Sequence, residues 1–509
     1  MKPLKKVTLL MASCLMMSSM VWAQSEMKTV IVIFDGLRPD YITPQLMPRL
    51  YQLKQQAGYA NNNHSVFPTV TRVNSASYAT GSYPARHGIL GNSIHVPTLG
   101  NTEIYDTGSM ADLLAVDSLS GHRLLTATSA GELLAENGKQ LYAFSSGTSG
   151  QAFLQNPQIK GAIIHPGFVL PKSLEPKVKA AIGEVKSQQG NGYAKHMWIT
   201  DAFIHFGLAT DGPEVSSIWY SEPDATQHAT GIGSPRSLEA VKVMDAQLGR
   251  ILDTLEQRNL TGQVNLIVTS DHGFITYEGD QTLRDFLIEE KLKSDVQSDD
   301  IIVADGAIFV KNRDAAVIAD IVAKLQEQPW VGPLFTAAKA PGMPEGIVAG
   351  TLSFDIIHWN HPDRAADILV AYAWDDKVNE YGYQGVQHSK SSIAAGHGGI
   401  SKHEIRTPMV LFGPAFKAGY VSELPSSFID IMPTVLALHG IGRAGQMDGR
   451  VLSEFFADER GGATPKVKIE TVKSNAAGTW GSYEVEAQLS TIDGHRYLDF
   501  GRTRRTGPQ

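Results

Sequence analysis

Short apolar runs alternate with amphipathic stretches along most of this 509-residue chain, the pattern of a mostly parallel sheet covered by helices. Residues 29–34 (TVIVIF) read as a buried strand ending at Asp35-Gly36. Residues 216–220 (SSIWY) end at a Glu-Pro-Asp turn, 265–269 (NLIVT) at Ser270-Asp271-His272-Gly273, and 408–412 (PMVLF) at Gly413-Pro414. Between the second and third of these strands, Leu238, Val241, Leu248, Ile251, Leu252 and Leu255 recur at spacings of three, four and seven, which predicts a long amphipathic helix. The fold class is therefore α/β, and three of the strand ends carry metal-capable side chains. Open α/β sheets place their sites at that edge.

The pattern changes at several points, and each change marks an expected boundary. Residues 279–387 hold a second αβ set: DGAIFV, an amphipathic stretch over 315–328, and HWNHPDRAADILVAYAW. They are expected to form an α+β cap inserted into a core made of 24–278 and 388–460. Residues 461–509 carry the alternating run YEVEAQLSTI and a basic end, RTRRTGPQ, expected as a β appendage or a loosely held tail. In residues 1–23, Lys2, Lys5 and Lys6 precede an apolar run with Val21 and Ala23 at small-residue positions. This reads as a secretory signal peptide cut after Ala23, and so as a periplasmic or secreted bacterial protein. A retained membrane anchor is the poorer reading, because the run is short and broken by Ser13, Ser18 and Ser19.

Composition narrows the chemistry. The chain is 42% hydrophobic and 19% charged, ordinary for a globular protein. Its one cysteine, Cys14, lies in the expected leader, so any metal must sit on Asp, Glu and His. Losing Lys2, Lys5 and Lys6 makes the net charge of −8 three units more negative. An acidic mature chain argues against a stable nucleic-acid partner and for small-molecule substrates. No later segment is long and apolar enough to span a membrane.

Seven residues then stand out in order: Asp35, Thr71, Asp224, His228, Asp271, His272 and His397. Asp224 and His228 are four apart and share one face of a helical turn. His397 sits among glycines in AAGHGGIS, which allow close backbone approach to a ligand. Thr71 lies in FPTVTRVNSASYATG, where Pro68 sets an extended entry and Gly81 stops a helix over 72–80. A hydroxyl there meets free N–H groups and a positive local potential, which favour an alkoxide and a bound phosphate. Taken singly, each residue also fits a helix cap or a packed histidine. Taken together, three Asp, three His and one hydroxyl form the ligand inventory of a two-metal hydrolase, and such donors suit Zn²⁺.

The motifs VIVIFDGLRPDYI, PTVTRVNSASYATGSYPARHGILGN, YSEPDATQHATG, VTSDHGF, AGHGG and FIDIMPTVLALHG resemble the type I phosphodiesterase/nucleotide pyrophosphatase family, within the alkaline phosphatase superfamily. The resemblance covers roughly 30–438, the cap aside. It implies an alkaline-phosphatase-like sheet sandwiched by helices and two Zn²⁺ per chain. Asp224, His228 and His397 would hold one zinc; Asp35, Asp271 and His272 would hold the other, with the Thr71 oxygen. Thr71 would attack phosphorus in line to give a phospho-threonine, which water at the first zinc would hydrolyse. Asn92 matches the family's asparagine that donates to a nonbridging phosphoryl oxygen.

Two departures stand out. The family's nucleotide pyrophosphatases place a Phe after the nucleophile, where this chain has Arg72, so Arg72 is expected to touch substrate in its stead. The related threonine-type phosphatases grip monoester dianions with a Lys and an Arg, where this chain has Thr148 and Gly150. Phosphodiester or pyrophosphate hydrolysis is therefore the expected activity. A phosphonate, phosphonoacetate-like, or a phosphomonoester substrate is the alternative. His358, His361, His388 and His403 are expected outside the ligand set.

Overall fold

The computed structural model describes residues 27–185, 192–458 and 465–507. The expected leader, with Cys14, lies outside the described residues. The centre of the fold is a ten-stranded sheet. Its order is Val421–Ser422, Gly58–His64, Arg406–Phe412, Val264–Thr269, Lys28–Phe34, Val215–Tyr220, Leu141–Ser145, Gly161–His165 and Phe168–Leu170, with Ser426–Ser427 also on Gly58–His64. Lys28–Phe34 runs parallel to both neighbours, and so does Leu141–Ser145. Arg406–Phe412 runs antiparallel to its two neighbours.

The central strand is apolar on both faces because both faces are covered. Val30, Val32 and Phe34 point to one side, into a cluster with Val241, Met244, Leu248 and Ile251. These belong to the helix Pro235–Gln257, which starts where Ser234 accepts a hydrogen bond from Ser237 N and Pro235 takes the first helical position. Ile31 and Ile33 point to the other side, against Tyr78 of helix Thr71–Thr80 and Met432 and Val435 of helix Ile431–Leu438. The sheet is thus sandwiched by helices, and its carboxyl edge is left to the site.

Beyond this sheet, Ile301–Ala304, Ala307–Val310, Ile368–Tyr372, Val331–Thr336 and Leu352–Ser353 make a separate five-stranded sheet, with helix Ala315–Gln326 beside it. A small four-stranded sheet joins Trp374–Val378 and Gln384–Gln387 to Ile275–Tyr277 and Ala395–Gly396. It pairs Thr276 with Val386 and Ile275 with Gly396, so hydrogen bonds stitch the inserted region to the segment that presents His397.

The C-terminal strands Val467–Gly478, Gly481–Ile492 and His495–Thr506 form an antiparallel sheet. Tyr483, Val485, Ala487 and Leu489 are buried while Glu484, Glu486 and Gln488 between them are not, the period-two pattern of a half-covered strand. The basic run lies in the last strand, whose Tyr497 hydroxyl donates to Asp430 Oδ2 at 3.0 Å. Among the described residues no helix is long and apolar enough to cross a membrane.

Candidate metal centre

The seven residues singled out in the sequence converge on one pocket at the carboxyl edge of the central sheet. Asp35 follows Lys28–Phe34 and Asp271-His272 follow Val264–Thr269, on adjacent strands in parallel register. Asp224 and His228 occupy the single helix Asp224–Thr230 after Val215–Tyr220. His397 leaves the short strand Ala395–Gly396. Thr71 is the first residue of the helix Thr71–Thr80, which Gly81 ends in the left-handed conformation at φ 55°.

Two groups of donors lie side by side. In one, Asp224 Oδ1 is 3.3 Å from His228 Nε2 and 3.1 Å from His397 Nε2. The other brings Asp35, His272 and Asp224 within 4.8 Å of one another, so Asp224 faces both groups. Asp271 joins through His272, whose Nε2 is 3.1 Å from Asp271 Oδ2 and 3.3 Å from Asp35 Oδ1. The second Asp271 oxygen accepts the Gly36 N–H at 3.1 Å, and Trp219 Nε1 donates to Asp35 Oδ2 at 3.3 Å.

Each imidazole is aimed by its other nitrogen. His228 Nδ1 meets Ala395 O, His272 Nδ1 meets Gly273 O and His397 Nδ1 meets Thr69 O, all at 2.9 Å. A backbone carbonyl fixes the Nδ1–H tautomer, so each Nε2 turns its lone pair to the centre when the ring is neutral. Burial, reinforced by His272, pulls His397 down to about 4, so this ring is neutral at ordinary pH. Burial and the Asp271 and Asp224 carboxylates push Asp35 up to about 8. Burial works to lower His272, but Asp271 and Asp35 outweigh it and hold it well above its ordinary value. His228 Nε2 and His397 Nε2 are 3.2 Å apart, and the buried Asp224 Oδ1 and Asp271 Oδ2 face imidazole nitrogens at 3.1 to 3.3 Å. Carboxylate oxygens and imidazole nitrogens converging in this way fit divalent cations, and the oxygen and imidazole set fits zinc.

Thr71 Oγ1 lies 3.3 Å from Asp35 Oδ1 and 3.2 Å from His272 Nε2. Asn92 accepts the Arg72 N–H on Oδ1 at 3.4 Å, which ties it to the first turn of the Thr71 helix. The loop that carries it is tied to the inserted region, because Asp305 Oδ2 accepts from Ser93 N at 2.9 Å. Arg72 has a buried Nε without a partner among the described residues. A cavity of ≈ 290 Å³ adjoins His397, walled by Phe67, Asn92, Tyr277, Asp305, Phe309 and Trp359.

The positions expected to lack a cationic grip do lack one. Thr148 caps helix Ser149–Leu154 through Gln151 N, and a Cβ on Gly150 would come within 2.1 Å of Thr107 O, so no side chain fits there. His358, His361, His388 and His403 are held by Arg496 O, Thr126, Asp375 and Asp376, away from the centre. The sequence pattern did not reveal Trp219 on Asp35 or the Thr69 carbonyl on His397. A strand tryptophan and a backbone oxygen leave no mark in residue spacing.

Residues 29–398 match the family described as type I phosphodiesterase / nucleotide pyrophosphatase, and the chain belongs to this family. A bis(5'-adenosyl)-triphosphatase of Xenopus laevis is 23% identical over 431 residues, covering 84% of this chain and 80% of its own. The venom phosphodiesterase of Naja atra is 26% identical over 249 residues, which is 48% of this chain and 26% of the venom protein; this chain thus spans about a quarter of the length of that relative. Among solved structures, an inactive variant of murine ectonucleotide pyrophosphatase/phosphodiesterase 5 in complex with AMP superposes with a TM-score of 0.60 at 19% identity, covering 85% of this chain and 100% of that one. That likeness establishes the mixed α/β fold.

Proposed function

We propose that the protein hydrolyses phosphodiester or pyrophosphate bonds in nucleotides or similar small molecules, through Thr71 and a pair of zinc ions. The reading rests on one observation above all: a hydroxyl at a helix N-terminus, 3.2 Å from His272 and 3.3 Å from Asp35, beside two groups of oxygen and imidazole donors. Asp224, His228 and His397 would hold one zinc, and Asp35, Asp271 and His272, with Thr71, would hold the other. Zinc bound there would supply positive charge to the reacting phosphoryl group and lower the pKa of a hydroxyl or water.

The chain's own groups do the rest. Asp35 Oδ1 accepts the Thr71 hydroxyl hydrogen, and Thr71 Oγ1 attacks phosphorus in line with the departing oxygen. The phosphoryl group rests on Thr71 until water displaces it. Free N–H groups of the helix start and the Asn92 amide donate to nonbridging oxygens, a positioned electrostatic contribution that needs no rearrangement. Arg72, with its partnerless Nε, offers a cation to an anionic part of the substrate. We read residues 1–23 as a secretory leader on their lysines and apolar run, and on that reading the activity belongs to the periplasm or the outside of the cell.

The deciding experiment compares kcat/KM for bis-p-nitrophenyl phosphate and p-nitrophenyl phosphate on zinc-loaded protein, with a chelator control. A ratio well above one, abolished by chelation, is the expected result. A ratio well below one transfers the site to the same-fold alternative, a phosphomonoester or phosphonate hydrolase, for which the Arg72 cation is the favouring observation.

A further inference from the structure

The hairpin Ile301–Ala304 and Ala307–Val310 closes through two residues, Asp305 and Gly306, with Ala304 paired to Ala307. Asp305 takes a positive φ of 53° there, a conformation that glycine adopts freely and that a side chain makes costly. Gly306 beside it has no room for a side chain, since a Cβ would lie 2.4 Å from Val370 O. Burial does not account for the aspartate, because Asp305 is exposed. The turn carries a carboxylate at a conformational cost, and that carboxylate reaches out of its own sheet.

What it holds is the bend over residues 91–93. Asp305 Oδ2 accepts the Ser93 N–H at 2.9 Å, and a Cβ on Gly91 would lie 2.9 Å from the same oxygen. Between these two residues stands Asn92, whose Oδ1 accepts the Arg72 N–H at 3.4 Å, one residue from Thr71. Thr107 grips the bend as well. Its Oγ1 donates to Gly91 O at 3.1 Å and to Asn92 O at 2.6 Å, and its N–H donates to Asn92 O at 2.9 Å. Thr107 thus fixes the carbonyls of the bend, and Asp305 fixes the N–H that follows Asn92. Asn92 and Asp305 both line the cavity of ≈ 290 Å³ that adjoins His397.

We propose that Asp305 is a positioning residue for phosphoryl transfer, latching the 91–93 bend so that the Asn92 side chain is set against the start of the Thr71 helix. The inference rests on the reading of Asn92 as a donor to the phosphoryl group. Play in such a donor weakens its contact with the transition state more than with bound substrate, so the latch acts on kcat. The five-stranded sheet then contributes to turnover as well as walling the cavity.

The test measures turnover of bis-p-nitrophenyl phosphate by zinc-loaded protein in single and double variants. Asp305→Gly removes the acceptor and suits the positive φ. Its kcat is expected to fall about tenfold with KM little changed, while the melting temperature holds. Asp305→Asn keeps an acceptor oxygen and is expected to recover most of the loss. Asn92→Ala lowers kcat by itself, and adding Asp305→Gly to it is expected to cost nothing more, because the two act through one contact. Losses that multiply in the double variant overturn the assignment, as does an unchanged kcat in Asp305→Gly. A melting temperature that falls together with turnover makes Asp305 a structural residue only, and overturns it too. Failure of the underlying reading looks different: Asn92→Ala then keeps full turnover, or the wild type leaves the diester uncleaved.

Discussion

His272 and His397 lie ring on ring, with centroids 3.6 Å apart and planes 17° from parallel. One follows a central strand and the other a glycine turn, and each belongs to a different donor group. Two stacked imidazoles cannot both carry charge in a buried pocket, and the pKa directions show how this is resolved: His272 is held protonated while His397 is kept neutral. The stack therefore marks where a proton stands in for a cation.

This predicts how stability depends on pH. Asp35 is raised from 3.8 to about 8, so the stability tied to its proton is present at low pH and lost as pH rises through 8. His272, raised above 6.5, adds a loss of the same sign above that value, while the opposing contribution of His397 is complete by then. The melting temperature of metal-free protein is expected to fall between pH 6.5 and 8, with the gain on adding zinc growing over that window. Calorimetry in buffers of different ionisation enthalpy should register proton release on zinc binding. A flat metal-free profile would contradict the proton-for-cation picture.

Thr71→Ala separates nucleophile from scaffold. The hydroxyl contributes one oxygen beside Asp35 and His272, so its loss leaves the other donors in place. Zinc content by mass spectrometry is expected to match the wild type, while turnover of the diester falls by on the order of 10³-fold or more. Retained turnover would mean that another group attacks.

Among the described residues Asp224 is the one carboxylate that belongs to both groups, and this makes its substitution different from that of a peripheral ligand. Asp224→Ala is expected to weaken both metals, lowering zinc content towards zero. His397→Ala is expected to lose only the metal shared with His228 and to leave the Asp35 and His272 side loaded. Titration with a chelator, followed by metal analysis of the recovered protein, distinguishes the two. Identical zinc loss in both variants would show that the groups bind as one unit.

Much of this site was readable because its carriers are regular. Residues 29–34 and 265–269 are covered on both faces, which forces continuous apolar runs and leaves Asp35 and Asp271-His272 conspicuous at their ends. The Thr71 helix announced itself through Pro68 and Gly81. Other features had no sequence mark. The four-stranded sheet that presents His397 is built from strands as short as Ala395–Gly396, too brief to show a period. Val467–Gly478 is mostly exposed, so it lacks the alternation that Gly481–Ile492 displays.

The C-terminal sheet is fastened by a buried pair that gives a last prediction. His64 Nε2 and Asp499 Oδ1 are 2.8 Å apart with both side chains 1% exposed, and His64 Nδ1 reaches Ser426 O at 2.8 Å. Gln488 and Ser490 also donate to Asp499. Burial raises the Asp499 pKa, but these contacts, His64 first, bring it below the ordinary 3.8. A depressed carboxylate contributes stability that is complete above about pH 4 and lost as pH falls below it. Asp499→Ala removes that contribution and leaves His64 buried without its partner, at a cost of about 3 kcal/mol. Urea unfolding at pH 7 is expected to show this loss, with protease cleavage between residues 465 and 507 appearing before the central sheet is cut. At pH 3 the difference between variant and wild type should shrink. A variant as stable as wild type at pH 7 would mean that Tyr497 and the apolar face of Gly481–Ile492 hold the sheet without the pair.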